Sequence, residues 1–126
     1  MDRETFRVLI VEDDRADEAL LRMRVGNLYP HAKVMSAVSV SDAYQTLRNN
    51  QFDLILLDLN LPDGFGPTSV SEMREFKKDI PIIVVTNMGT DIAVVEALKA
   101  GANNVVLKSD ISDEDFKNIM DQNLQL

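Results

Sequence analysis

Short runs of apolar residues alternate along the chain with longer stretches in which apolar positions recur every three or four residues. Compact runs bounded by polar residues read as strands, and the three-to-four recurrence reads as one buried face of a helix. Strands are predicted over residues 6–11, 33–38, 52–58, 81–86 and 104–107. Between them the apolar stripes predict helices. Ala16, Leu20 and Met23 share one face of the first, and Ala43 and Leu47 face inward from the second, over 41–49, which Ser41 would cap. Val70, Met73 and Phe76 line the third, Ala93, Ala97 and Ala100 the fourth, and Phe116, Ile119 and Met120 the fifth. Thr90 or Asp91 is placed to cap the fourth helix, with Gly101 where a C-terminal glycine would end it. Ser112, followed three residues on by Asp115, would open the fifth.

Strand and helix therefore alternate five times. That order implies a parallel sheet with helices on both faces, an α/β architecture. The runs Val8-Leu9-Ile10-Val11, Leu54-Ile55-Leu56-Leu57 and Ile82-Ile83-Val84-Val85 are apolar at every position, as strands covered on both sides must be. Residues 33–38 are more mixed and belong nearer an edge. At 126 residues, with no linker, repeat or low-complexity tract, the expectation is a single domain over 1–126 with its core at about 6–124. Residues 1–5 are expected to fray, and no space is left for an output domain.

Composition narrows the chemistry. There is no cysteine, which excludes disulfides, thiol catalysis and cysteine-bound metal. His31 is the single histidine, in a Tyr29-Pro30-His31 segment that reads as an exposed loop, so no multi-histidine metal site can form. The formal charge of −8 opposes direct nucleic-acid binding, which depends on neutralising phosphates with Lys and Arg. No apolar stretch approaches the roughly 20 residues of a membrane span. Met1-Asp2-Arg3-Glu4 has neither the cationic start nor the apolar core of a signal peptide. A soluble, cytoplasmic protein without membrane insertion is the expectation.

The informative residues stand where the apolar runs stop. In open parallel sheets, ligands bind outside the carboxyl ends of the strands. Here those ends carry Glu12-Asp13-Asp14, Asp58, Thr86 and Lys108. Helix capping accounts for one acid after the first strand and leaves the others without a purpose. With Asp58 beside them on the neighbouring strand, the carboxylates would repel by roughly 4 kcal/mol per pair at about 4 Å. Such a cluster must take up a proton, splay apart or bind a cation, and an all-oxygen donor set with open positions suits Mg²⁺. Lys108 would neutralise part of that charge and hold a phosphoryl oxygen, and Thr86 adds a small hydroxyl at the same edge.

In these residues the chain resembles a response-regulator receiver domain, the flavodoxin-like phosphoacceptor of two-component signalling. The match lies in Val8-Leu9-Ile10-Val11-Glu12-Asp13-Asp14, in Asp58-Leu59-Asn60-Leu61-Pro62-Asp63-Gly64-Phe65-Gly66, and in Thr86 and Lys108. The resemblance implies a (βα)5 doubly wound sandwich around a five-stranded parallel sheet. It implies a signalling phosphoacceptor rather than an enzyme, one that accepts a phosphoryl group on Asp58 from a histidine kinase or histidine phosphotransfer protein. Its chemistry on itself would be limited to phosphotransfer and autodephosphorylation. Also implied are Mg²⁺ held by Glu12, Asp13, Asp58 and the backbone carbonyl of Asn60, and contacts from Lys108 and Thr86 to the phosphoryl group. As a stand-alone receiver it would signal, or relay the phosphoryl group, through contacts with a downstream protein whose identity the residues do not specify.

Three positions depart from the common pattern of that family. Val105 stands where an aromatic switch residue is frequent, Ser109 where a proline after a cis bond is usual, and Asn87 where a smaller residue follows the threonine. A cis bond before a non-proline residue costs about 3–4 kcal/mol, so the Lys108–Ser109 bond is expected to be trans. Two other functions compete: a receiver-like binding module independent of phosphorylation, and a hydrolase of small phosphoesters. The hydrolase would want an acid/base group two residues beyond the nucleophile, where Asn60 stands instead.

Overall fold

The computed structural model describes residues 5–64, 66–87, 90–109 and 111–125. In chain order the elements are β1 (Arg7–Val11), α1 (Arg15–Leu28), β2 (Lys33–Ala37), α2 (Val40–Asn49) and β3 (Leu54–Leu57). They continue with α3 (Thr68–Phe76), β4 (Ile82–Thr86), α4 (Asp91–Ala100), β5 (Asn104–Leu107) and α5 (Asp113–Leu124). The strands form one parallel sheet in the order β2-β1-β3-β4-β5, with β2 at an edge as its mixed sequence requires. Because successive strand residues point to opposite faces, each central strand feeds two cores. Leu9, Val11, Ile55, Leu57 and Val84 pack with Ala43, Leu47, Val70, Met73 and Ala97 of α2, α3 and α4. Val8, Ile10, Leu54, Leu56 and Val85 pack with Val25, Phe116 and Met120 of α1 and α5. Among the described residues no helix is long and apolar enough to cross a membrane.

The predicted elements are recovered, with strands that start or stop one or two residues inside the expected bounds. Phe6, Phe52 and Pro81 precede their strands, while Val38 and Asp58 follow theirs. Asp14, Thr90 and Ser112 cap α1, α4 and α5 by accepting the N–H groups of Asp17, Ala93 and Asp115. Gly101 ends α4 at φ +121°, a left-handed conformation that a side chain would strain. His31 is exposed, and among the described residues no peptide bond is cis, Lys108–Ser109 included. Residues 1–4 and Phe65 lie outside the described residues.

Two expectations are corrected. The buried face of α1 is not Ala16, Leu20 and Met23: Ala16 is exposed, and Leu20 and Met23 are 64% and 58% exposed. Val25, with Leu21 and Leu28, faces the core instead. Both stripes have helical spacing, so periodicity cannot choose between them. The second runs directly into Tyr29, whose buried ring packs edge-on against Phe6, and this fixes the roll of the helix. In α2 the cap is Ser39 rather than Ser41, its hydroxyl accepting the Asp42 N–H at 3.0 Å. Ser41 is already inside the first turn. Its N–H and that of Val40 donate to the Asp63 carboxylate at 3.0 and 2.7 Å. Asp63, from the loop after β3, thus terminates α2 from outside the helix.

Candidate phosphoacceptor site

The sheet order brings the carboxyl ends of β1, β3, β4 and β5 side by side, and each contributes its terminal polar residue. The ladder extends one hydrogen bond beyond the strands at three of these positions. Glu12 N–H donates to the Ala37 carbonyl at 2.9 Å, Asp58 N–H to Val11 at 3.0 Å, and Lys108 N–H to Thr86 at 3.0 Å. The side chains are therefore carried on backbone fixed by the sheet rather than on free loops. They border a cleft of about 510 Å³ that also reaches Asp13, Asn60, Thr86 and Asn87.

Within the cleft the charges are unequally exposed. Glu12 and Asp58 retain only 2% and 5% of their surface, and Thr86 is buried too, while Asp13 and Asn60 are exposed. Carboxylate oxygens of Glu12, Asp13 and Asp58 all lie within 4.8 Å of one another. The Lys108 ammonium sits among the acids, 2.9 Å from Glu12 Oε2, 2.8 Å from Asp17 Oδ2 and 3.6 Å from Asp58 Oδ2. Burial works to lower the affinity of Lys108 for its proton. The hydrogen bonds to Asp17 and Glu12, with the fields of Asp58 and Glu12, outweigh burial and raise it. Lys108 is therefore charged at any physiological pH. For Glu12, burial dominates, and the hydrogen bond from Lys108 only partly opposes it. The charge of Asp58 and a hydrogen bond with it push in the same direction as burial, to a pKa of about 7 from an ordinary 4.5.

That shift has a consequence for stability. A group whose folded pKa is raised binds more protons in the native than in the unfolded state, so its contribution is largest at low pH. For Glu12 the contribution is complete below about 4.5 and is lost as pH rises through about 7. In a chelating buffer, stability from urea unfolding should fall between about pH 5 and pH 8, by at most roughly 3 kcal/mol. Glu12→Gln should remove most of that slope, with the remaining titrations common to both proteins cancelling in the difference. Parallel profiles for the two proteins would show that Glu12 is ionised throughout.

The structure brings together Glu12, Asp13, Asp58, Asn60, Thr86 and Lys108, all predicted from the strand ends or the motif after Asp58. Asn87 lies on the same cleft, at the position expected to narrow access to Asp58. Val105 is half-buried against the core beneath α2, α3 and α4. The residue that strand-end reasoning misses is Asp17, which reaches Lys108 from the first turn of α1. No local signal in the sequence marks it, because the contact joins residues 91 positions apart.

A family model described as the response regulator receiver domain matches residues 8–121. The chain is 35% identical over 108 residues to the transcriptional regulatory protein KdpE of Staphylococcus aureus, covering 86% of this chain and 46% of KdpE. It thus spans less than half the length of that relative. It is 32% identical over 106 residues to a chemotaxis protein CheY homologue of Campylobacter jejuni, covering 82% and 81%. Among solved structures it is similar to the receiver domain of the sensor histidine kinase PA1611 from Pseudomonas aeruginosa, described with magnesium coordinated in its active-site cleft. The TM-score is 0.82 at 20% identity, over 96% of this chain and 98% of that one, a likeness of fold.

Proposed function

The chain belongs to the response regulator receiver family, and from that premise we propose that Asp58 accepts a phosphoryl group from a histidine kinase or a histidine phosphotransfer protein. One observation carries the reading. A buried carboxylate held by the sheet ladder points into a cleft where further carboxylates and an ammonium converge on it. An Asp58 oxygen attacks phosphorus, the P–N bond of the phosphohistidine breaks, and its electron pair leaves with the imidazole. The product is an acyl phosphate on Asp58. Charge in the transition state spreads over the phosphoryl oxygens, so positioned cations and donors supply most of the acceleration. Lys108 and Thr86 are those groups here. Lys108 stands 3.6 Å from Asp58 Oδ2, and Thr86 is fixed at the end of the adjoining strand.

The donors suit Mg²⁺. They are all oxygen, lie close enough to share one ion, and include an exposed acid that leaves room for retained waters. Glu12, Asp13 and Asp58, with the backbone carbonyl of Asn60, would hold it. When bound, the ion neutralises charge between the acceptor and the incoming phosphoryl group. Transfer then ends in signalling through protein contacts, since the net charge of −8 does not favour a nucleic-acid surface.

Incubation with acetyl phosphate and Mg²⁺ tests this reading. Intact mass should rise by one phosphoryl group, the adduct should be labile to base, and borohydride reduction should place it on the peptide containing Asp58. An unmodified protein whose chemical shifts ignore Mg²⁺ would remove the proposal. Rapid multiple turnover of small phosphoesters would favour a hydrolase instead.

A further inference from the structure

Among the described residues the Lys108 ammonium donates two full hydrogen bonds, and neither is to the proposed acceptor. Its ammonium lies 2.9 Å from Glu12 and 2.8 Å from Asp17, while Asp58 is at 3.6 Å, beyond hydrogen-bond range. Asp17 is not on the sheet edge. It belongs to the first turn of α1, where its own N–H is fixed by the capping carboxylate of Asp14 at 2.9 Å. Its side chain is 34% exposed and that of Lys108 only 15%, so the pair is partly shielded from water. An ammonium has three protons, and one that points at Asp17 is not available to a phosphoryl oxygen on Asp58.

We propose that Asp17 is a positioning residue that holds Lys108 toward α1 and competes with the phosphoryl group for it. The proposal rests on Asp58 being the phosphoacceptor. When the acyl phosphate forms, its oxygens draw Lys108 away, and the contact between β5 and the first turn of α1 is given up. Asp17 thereby favours the unmodified state over the modified one. It also links the acceptor to α1, a connection that does not pass through Val105 or Ser109.

The test uses beryllofluoride, which stands in for the phosphoryl group, titrated at saturating Mg²⁺ and read by chemical shifts. Asp17→Asn removes the competing charge and should tighten beryllofluoride binding about three- to fivefold, the range of a partly exposed ion pair. Asp17→Glu, which keeps the charge, should bind within about twofold of the parent. Glu18→Gln removes the same charge one residue along α1, from a carboxylate bonded to Arg22 and Ser36, and should leave the affinity unchanged. In metal-free protein the ¹⁵Nζ resonance of Lys108 should move in Asp17→Asn and stay in place in Glu18→Gln.

Equal or weaker beryllofluoride binding by Asp17→Asn overturns the proposal, as does equal tightening by Glu18→Gln, which would make the effect one of bulk charge. A parent protein that binds no beryllofluoride overturns the phosphoacceptor reading and this inference together. A parent that binds it while Asp17→Asn brings no gain overturns this inference alone.

Discussion

Asp58→Asn should abolish phosphoryl uptake from acetyl phosphate and leave the metal-free protein at least as stable as the parent. The amide is nearly the same size and shape as the carboxylate, so the end of β3 and its ladder bond to Val11 remain. What disappears is the anion that attacks phosphorus, and no rotamer of an amide replaces it. Stability moves the other way because Asp58 is 5% exposed and faces Glu12, whose proton affinity it raises. Replacing it removes a like-charge repulsion and costs Lys108 only a 3.6 Å contact, with Asp17 and Glu12 retained at hydrogen-bond distance. A gain of about 1 kcal/mol is the expected net effect, since each term is partly screened. Intact mass and urea unfolding in a chelating buffer check the two halves separately. Continued phosphoryl uptake by the variant would mean that another carboxylate, Asp13 foremost, is the acceptor.

The proposed acceptor site was more legible in the sequence than the helices around it, and the reason is geometric. A short unbroken run such as Leu54–Leu57, bounded by polar residues, fits a doubly covered strand, and in a parallel sheet the residue after it stands on the ligand-binding edge. Asp58, Glu12 and Lys108 follow from that rule without any knowledge of packing. The roll of α1 does not follow. Residues 16, 20 and 23 and residues 21, 25 and 28 fit the same period, and only the seating of Tyr29 against Phe6 separates them. Contacts between distant segments were equally invisible. Asp17 meets Lys108 across 91 residues of sequence, and Asp63 accepts the first N–H groups of α2 from 22 and 23 residues away. Such pairings depend on how elements are placed in space, which a local pattern does not encode. The cap of α2 was misplaced for that reason: with Asp63 already bonded to Val40 and Ser41, the helix starts at Val40 and Ser39 becomes its cap.

Lys108→Ala should separate two properties that act on the same carboxylates. Phosphoryl uptake should slow by roughly 10²–10³-fold, the usual effect of removing one preorganised donor to developing charge. Affinity for Mg²⁺ should rise in the same protein. Lys108 now spends its charge on Glu12, Asp17 and Asp58, and an entering dication must share those acids with it. Once the ammonium is gone the acids repel one another without compensation, and the cation that relieves them binds more tightly. Glu12, deprived of the hydrogen bond that lowers its proton affinity, should also hold its proton more firmly in the absence of metal. The tighter Mg²⁺ binding is therefore expected at alkaline pH, where Glu12 is ionised in both proteins, and should narrow as pH falls toward 7. Mg²⁺ titrations at two pH values and acetyl phosphate kinetics at saturating Mg²⁺ check the two halves, and an unchanged circular dichroism spectrum separates either result from a general loss of structure. Slower uptake with weaker Mg²⁺ binding would mean that Lys108 organises the acids rather than competing for them. In that case its bonds to Glu12 and Asp17 would be what holds the cleft open for the ion.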